Sequence, residues 1–422
     1  MKTPLRVRVS LLLISLLMAI SGCSIIAPQR EVITLRIAYQ GQDVSLQPLL
    51  DAYMRDNPAI KIEVVEGNSG SSAVKNALTE KKLDIIRGDR SALQYVGSGQ
   101  LLPLEEMIQG DDWKEIYDDF VPGAWEGMQI EGRQWGVPAS IDVFVVYINM
   151  DTLTSLNLKA PALSWSLDDF LMLAEALNQP EGTKENPDKY TWGFCTDSQS
   201  EEVVLFVYLM GGTLLDDFNK PTRSTLDDPA TVEAVKWYAD MVNVYKIAPS
   251  SAVLNALFSD GTNEAAMRGF CGMWLGFYST RGGLASNKWT INWGMRPMPT
   301  GQSQVRFGNE EGYFIAANST HPEEALQLVR YLTDHWESSG RGIPPRKSVS
   351  ANPRYAREVG EDVAAAGISN IENLIILPAQ ASPTFMALGE LFLGAVGQVL
   401  AGRDPEEALY EAQQKLLPLF IK

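Results

Sequence analysis

Between Ile33 and Ile86 the chain repeats one pattern: a short β-branched run, then a helix-length stretch whose apolar residues fall on one side. Ile33 to Tyr39 alternates as a strand, and Leu46, Leu49, Leu50 and Tyr53 recur at helical spacing until Asn57-Pro58 stops them. Ile60 to Val65 reads as the next strand, Ser71 to Glu80 as a short helix and Leu83 to Ile86 as a third strand. Strands alternating with helices predict a parallel sheet. Ligands of open α/β sheets bind outside the carboxyl ends of the strands. That rule singles out Gln40 to Asp43, Gly67 to Ser72, Arg87 to Arg90, and the segment after Val137-Pro138.

The same reading places the tripeptide Arg87-Gly88-Asp89. On a protruding loop it would suggest adhesion, but Asp84 and Ile85-Ile86 anchor it to a buried strand and a helix begins at Arg90, which favours a binding cleft. A second α/β region follows, with a buried strand at Val143 to Asn149 and a capped helix from Ser166. Strands are expected at Thr191 to Cys195, Phe270 to Leu275 and Thr290 to Met295, and helices at Val203 to Met210 and from Asp228-Pro229. His321-Pro322, Asn352-Pro353 and Asp404-Pro405 each open a helix, and Thr384 to Leu400 is a long apolar one.

The first residues carry Lys2, Arg6 and Arg8, then an apolar run from Val9 to Ile20 and Ser21-Gly22-Cys23. This is the pattern of a signal peptide, too short to span a bilayer comfortably. The expected cut leaves 400 residues beginning at Cys23, with Ser24 to Arg30 as a polar linker, enough chain for two domains. With the three basic residues of the signal gone, 32 basic face 52 acidic side chains, a net charge of −20. A nucleic acid is therefore not an expected partner. Cys195 and Cys271 either pair, as an exported chain allows, or remain buried thiols. No zinc set can be assembled, and no cofactor is expected.

Material for an enzyme is sparse. His321 and His335 are the only histidines, and no GxSxG, HExxH or P-loop spacing appears. A glycosidase working through paired carboxylates is the remaining catalytic reading, since Asp and Glu are plentiful.

Several blocks, in this order, carry a resemblance: LLDAYMRDNPAIKIEVV from Leu49, LDII followed by Asp89, GSGQLLPLEEMI from Gly97, and GRQWGVPASIDVFVVYINMD from Gly132. TWGF at Thr191, GGTLLD at Gly211, FCGMWLGFY at Phe270, EGYFIAANSTHPEEAL at Glu311 and VLAGRDPEEALYEAQQKL at Val399 continue it. Together they resemble the extracellular solute-binding proteins of ABC sugar importers, the family that includes maltose-binding protein. The stretch at Ser21 to Cys23 resembles a bacterial lipobox, in which the Cys is acylated; that would anchor Cys23 in a membrane outside the cytoplasm. The resemblance implies an α/β, two-lobed periplasmic-binding-protein fold (type II), each lobe a mixed sheet flanked by helices, with a hinge between lobes. It places the N-terminal lobe at residues 31–141 with 291–344 and the C-terminal lobe at 142–290 with 345–422. The chain would cross between them near Ser140 to Val143, near Thr290 and near Pro344-Pro345. The implied partners are a carbohydrate ligand and the permease subunits, with the protein itself a monomer.

A sugar needs carboxylates, amides or Arg for its hydroxyls and an aromatic ring for its flat face. By the resemblance Asp89 and Arg90 match a ligand-contacting pair. Asp142 stands where relatives carry a Glu, and Trp274, Phe277 and Tyr278 lie where a stacking ring is placed, Trp274 and Tyr278 being favoured. Tyr39, Gln40 and Asp43 at the first loop, Glu311, and Arg346 beside the last crossing complete the candidates, with Arg346 alternatively a hinge brace. Phe385 matches an aromatic position loosely. Arg87, Arg90, Arg281 and Arg346 keep open an anionic ligand, such as a glycerol phosphate or a sugar acid.

Overall fold

The computed structural model describes residues 32–41, 46–181, 190–196, 202–217, 221–284, 287–304, 306–376 and 383–420. The signal segment, Cys23, the linker and Asp43 lie outside them. Nine strands form one sheet: β1 (Ile33–Tyr39), β2 (Ile60–Glu66), β3 (Ile85–Asp89), β4 (Gly136–Asn149), β5 (Trp192–Cys195), β6 (Cys271–Phe277), β7 (Trp293–Pro297), β8 (Arg306–Ile315) and β9 (Leu374–Ile376). Their order is β2-β1-β3-β8-β4-β6-β5, with β7 also on β4 and β9 also on β8.

β1, β2 and β3 are parallel, as the alternation with helices α1 (Gln47–Asp56) and α2 (Ser72–Thr79) requires. β8 then enters antiparallel between β3 and β4, and β4 runs antiparallel to β6 and β7, so the sheet is mixed. Arg87-Gly88-Asp89 lies inside β3, with Arg87 buried, which removes the adhesion reading.

Two strands are shared. Gly136 to Val143 of β4 pairs with β8, while Phe144 to Ile148 pairs with β6. Each half feeds a different core. Leu35, Ile37, Leu50, Ile85, Tyr313 and Leu328 pack on one face of the first half. Val146, Ile148, Phe194, Phe206, Tyr238 and Phe392 pack on the second. Apolar clusters around Ile86 and Phe314, and around Val145 and Trp274, cover the reverse faces. The result is two lobes hung on β4 and β8. A third exchange runs past Ile343, which makes backbone bonds to Ile141 in both directions (2.9 and 2.7 Å).

One boundary differs from the expected one. Trp293–Pro297 pairs with Val145 to Asn149, in the second half of β4, so the strand after Thr290 belongs with the second core. The return to the first core comes later, along β8 around Asn309 to Glu311.

Cys195 and Cys271 form a disulfide between the parallel neighbours β5 and β6, both fully buried. Closing a loop of 76 residues restricts the unfolded chain by about 4 kcal/mol in the entropy model. Replacing both cysteines by Ala should lower unfolding free energy by about 2–4 kcal/mol, read from urea denaturation. A change under about 1 kcal/mol would show that the bridge does not constrain the unfolded state.

Candidate ligand-binding site

Side chains on one sheet face recur every second residue, and paired residues on neighbouring strands share a face. Glu311 is paired with Asp89 and Tyr313 with Arg87; Asn309 is paired with Asp142 and Glu311 with Ser140. Arg87, Asp89, Asn309, Glu311, Ser140 and Asp142 therefore stand on one face. Followed outward in one direction, that face becomes Ile85 and Ile315 in the first core. In the other direction it becomes Phe144, Val146 and Ile148 in the second. The polar residues form a belt across the floor between two apolar bodies.

The belt is internally bonded. Arg87, with a side chain only 2% exposed, meets Glu311 at 2.7 Å, and its Nη2 also donates to Ser338 O at 3.3 Å. Ser140 Oγ donates to Ser339 O at 3.0 Å. Gly342 lets the third exchange approach β4 this closely, since a Cβ there would meet Ser140 Oγ at 1.9 Å. Asp142 accepts from Ser279 N at 2.9 Å and Ser279 Oγ at 2.5 Å, where the chain leaves β6. Burial raises its carboxyl to about 6, against the pull of the Ser279 bonds and Arg281, with Glu311 adding to the rise.

Asp89 is exposed at the end of β3, and its Oδ1 accepts from Ser91 N and Ser69 Oγ, both at 3.0 Å, capping the turn Arg90–Tyr95. Tyr39 and Gln40 close the adjoining β1; Tyr39 is 5% exposed and Gln40 is half-buried. Asp89, Glu311 and Asp142 are thus brought together, with Gln40 at a neighbouring strand end.

Other candidates are placed differently. Arg90 turns to the reverse face, with Nε 3.7 Å from Glu310 Oε1. Glu310 is buried beneath the helix Pro122–Gly127, where Gly127 is required because a Cβ would come within 2.0 Å of that oxygen. Trp274, 2% exposed, packs against Tyr147 and Trp289 with ring centroids 5.5 and 5.3 Å apart. Tyr278 is fully buried, shares a 2.8 Å hydroxyl contact with Tyr355, and has the Arg281 guanidinium 4.5 Å from its ring centroid. Phe385 packs against the second core. Arg346 binds Asp119 at 2.8 Å and also Asp334, so it braces the third exchange against the first lobe. Ser279 and Arg341 were not among the sequence candidates. Their only sequence signals were a position just after a predicted strand and one just before a predicted crossing.

Two cores joined by shared strands, with a polar floor between them, define a two-lobed binding protein. The chain belongs to the family of bacterial extracellular solute-binding proteins, whose model matches residues 39–335. A putative binding protein of Brucella abortus (strain 2308) is 22% identical over 259 residues, 61% of this chain and 59% of that protein; the chain spans less than two thirds of that relative's length. The fold is similar to that of the ABC substrate-binding protein Lmo0181 from Listeria monocytogenes in complex with cycloalternan, with 18% identity, 92% of this chain and 98% of that one covered, and a TM-score of 0.68. It is also similar to that of UgpB from Mycobacterium tuberculosis in complex with glycerophosphocholine, with 16% identity, 92% and 98% covered, and a TM-score of 0.67. No helix among the described residues is long and apolar enough to cross a membrane.

Asp142 makes a signed prediction. Its folded value of about 6 lies above the ordinary 3.8, so the folded state holds the proton longer and stability falls as pH rises through that window. Asp142→Asn removes this term. Relative to wild type the variant should gain about 2–3 kcal/mol on going from pH 4 to pH 7, measured by urea unfolding at both. An unchanged difference would show that the Asp142 carboxyl is not raised.

Proposed function

We propose that this chain captures a small carbohydrate-type solute on the belt between its lobes and delivers it to the membrane subunits of an ABC importer. The observation that carries this reading is the belt itself: three carboxylates on three neighbouring strands, Asp89, Glu311 and Asp142, share one floor between the two cores. A ligand touching both lobes favours the closed arrangement by its differential affinity for it. Family membership and likeness to proteins crystallised with cycloalternan and glycerophosphocholine support the reading. The lobes would divide at Ser140 to Asp142, at Asn309 to Glu311 and near Ile343. Cys23 would carry the acyl anchor that keeps the protein at the outer face of the membrane. Binding proceeds without turnover, with Glu311 committed to Arg87 and Asp142 to Ser279.

A thermal-shift screen of the purified protein against mono- and oligosaccharides, polyol phosphates and sugar acids tests the capture. A ligand at 100 times its dissociation constant stabilises by about 2.7 kcal/mol, and Asp89→Ala should weaken a hit by about 1–3 kcal/mol. A hit unaffected in a folded Asp89→Ala protein removes Asp89 from the site. Cys23→Ser should release the protein from membranes into the soluble fraction, and retention would sink the anchor.

A further inference from the structure

Three arginines around the junction have a carboxylate of their own: Arg87 has Glu311 on the belt, Arg90 has Glu310 on the reverse face, and Arg346 has Asp119 and Asp334 at the third exchange. Arg281 and Arg341 do not. Among the described residues neither has a carboxylate oxygen within 4.0 Å, in a chain with 52 acidic side chains to draw on. Instead they are locked to each other through the backbone. Arg281 Nη1 donates to Tyr278 O at 3.1 Å and to Arg341 O, while Arg341 donates from Nε to Ser279 O at 2.5 Å and from Nη2 to the carbonyls of Arg281 and Gly283.

This arrangement holds two like charges side by side. Burial, and then the Arg281 charge, pull the Arg341 guanidinium below its usual value. The pair is also fixed in place. Arg281 lies over the Tyr278 ring, and Ser279, between the two, is held by Asp142 on the belt. Arg281 Nε and Nη2 and Arg341 Nη1 have no protein partner among the described residues, and each belongs to a planar fork suited to an oxyanion. Arg281 also occupies the ring face of Tyr278, the residue expected to stack on a sugar.

We propose that the solute carries an oxyanion, a carboxylate or a phosphate, which Arg281 and Arg341 grip while the acids of the belt bind its hydroxyls. The inference rests on the reading of the belt as the ligand site. It narrows the solute to a sugar acid or to a sugar or polyol phosphate. No bond is made or broken. The negative group supplies the direct ion pair that the two arginines lack, Asp142 acting on both only at longer range, and their existing backbone bonds hold the forks in position beforehand, which lowers the ordering cost of binding.

The test uses matched solutes on the purified protein by calorimetry: glucose against glucuronate and glucose 1-phosphate, and glycerol against glycerol phosphate and glycerophosphocholine. At least one anion should bind about tenfold or more tightly than its neutral parent, and Arg281→Gln and Arg341→Gln should each erase about that preference. Carboxylate and phosphate arms tell the two oxyanions apart. Neutral parents bound equally well, or an anion preference unchanged in both variants, would overturn the anion proposal. If such binding still weakens in Asp89→Ala, the belt survives as the site; if it does not, both readings fall. No binding by any of the anions also overturns the proposal, and a neutral sugar that binds in that case leaves the capture reading standing alone.

Discussion

Everything else in this molecule depends on two strands being common to two hydrophobic cores. β4 and β8 carry apolar side chains at both ends of one face and polar ones between. A continuous apolar face would have merged the cores into one body, since burial of apolar area is non-directional. The stretch from Ser140 to Asp142 opposite Asn309 to Glu311 prevents the merger. It leaves a hydrogen-bonded ribbon as the mechanical link, reinforced by the Ile141 and Ile343 backbone pair. On the proposed reading, relative motion of the lobes would be absorbed there, where backbone pairing persists.

That solution requires charged groups where solvent is scarce, and the structure neutralises them locally. Arg87 is nearly inaccessible and has Glu311 at contact distance; removing Glu311 would strand the buried Arg87 charge, a defect that typically costs about 3–5 kcal/mol. On the reverse face Glu310 is completely buried and burial pushes its carboxyl well above the usual range, with Arg90 opposing that rise. The two acids are neighbours in sequence but serve opposite faces. One is oriented to the belt and the other fills the space left by Gly127.

Much of the fold was legible because it rests on periodicity. The parallel β1 to β3 unit, the proline-initiated helices at Pro229, Pro322, Pro353 and Pro405, and the long apolar helix Pro383–Leu400 follow from spacing and caps. The pairing of the strand after Thr290 was not legible for a physical reason. Trp293–Pro297 reads as a strand, and nothing in a strand's own sequence names its partner. Site residues divide in the same way. Asp89 was legible as a carboxylate at a strand end, whereas Asp142 and Glu311, both mid-strand, were named only through the resemblance, and the direction of Arg90 was not legible, because a one-residue step past the strand end carries it to the other face. Trp274 and Tyr278 have the right chemistry for stacking, but burial decides whether a ring face is free, and that is a tertiary fact.

Charge ties these observations together. A chain with a large acidic excess repels anions at long range, yet screening confines that repulsion to about 10 Å at ordinary ionic strength. Inside the junction the local count differs from the global one. Arg87 cancels Glu311, and Arg281 and Arg341 offset Asp89 and Asp142, so the junction is close to balanced where the chain as a whole is strongly acidic. On the proposed reading, a solute with both hydroxyls and a negative group would meet the two arginine forks only after entering the cleft. Selectivity then comes from the short-range geometry of the forks, and the acidic exterior contributes solubility without opposing capture.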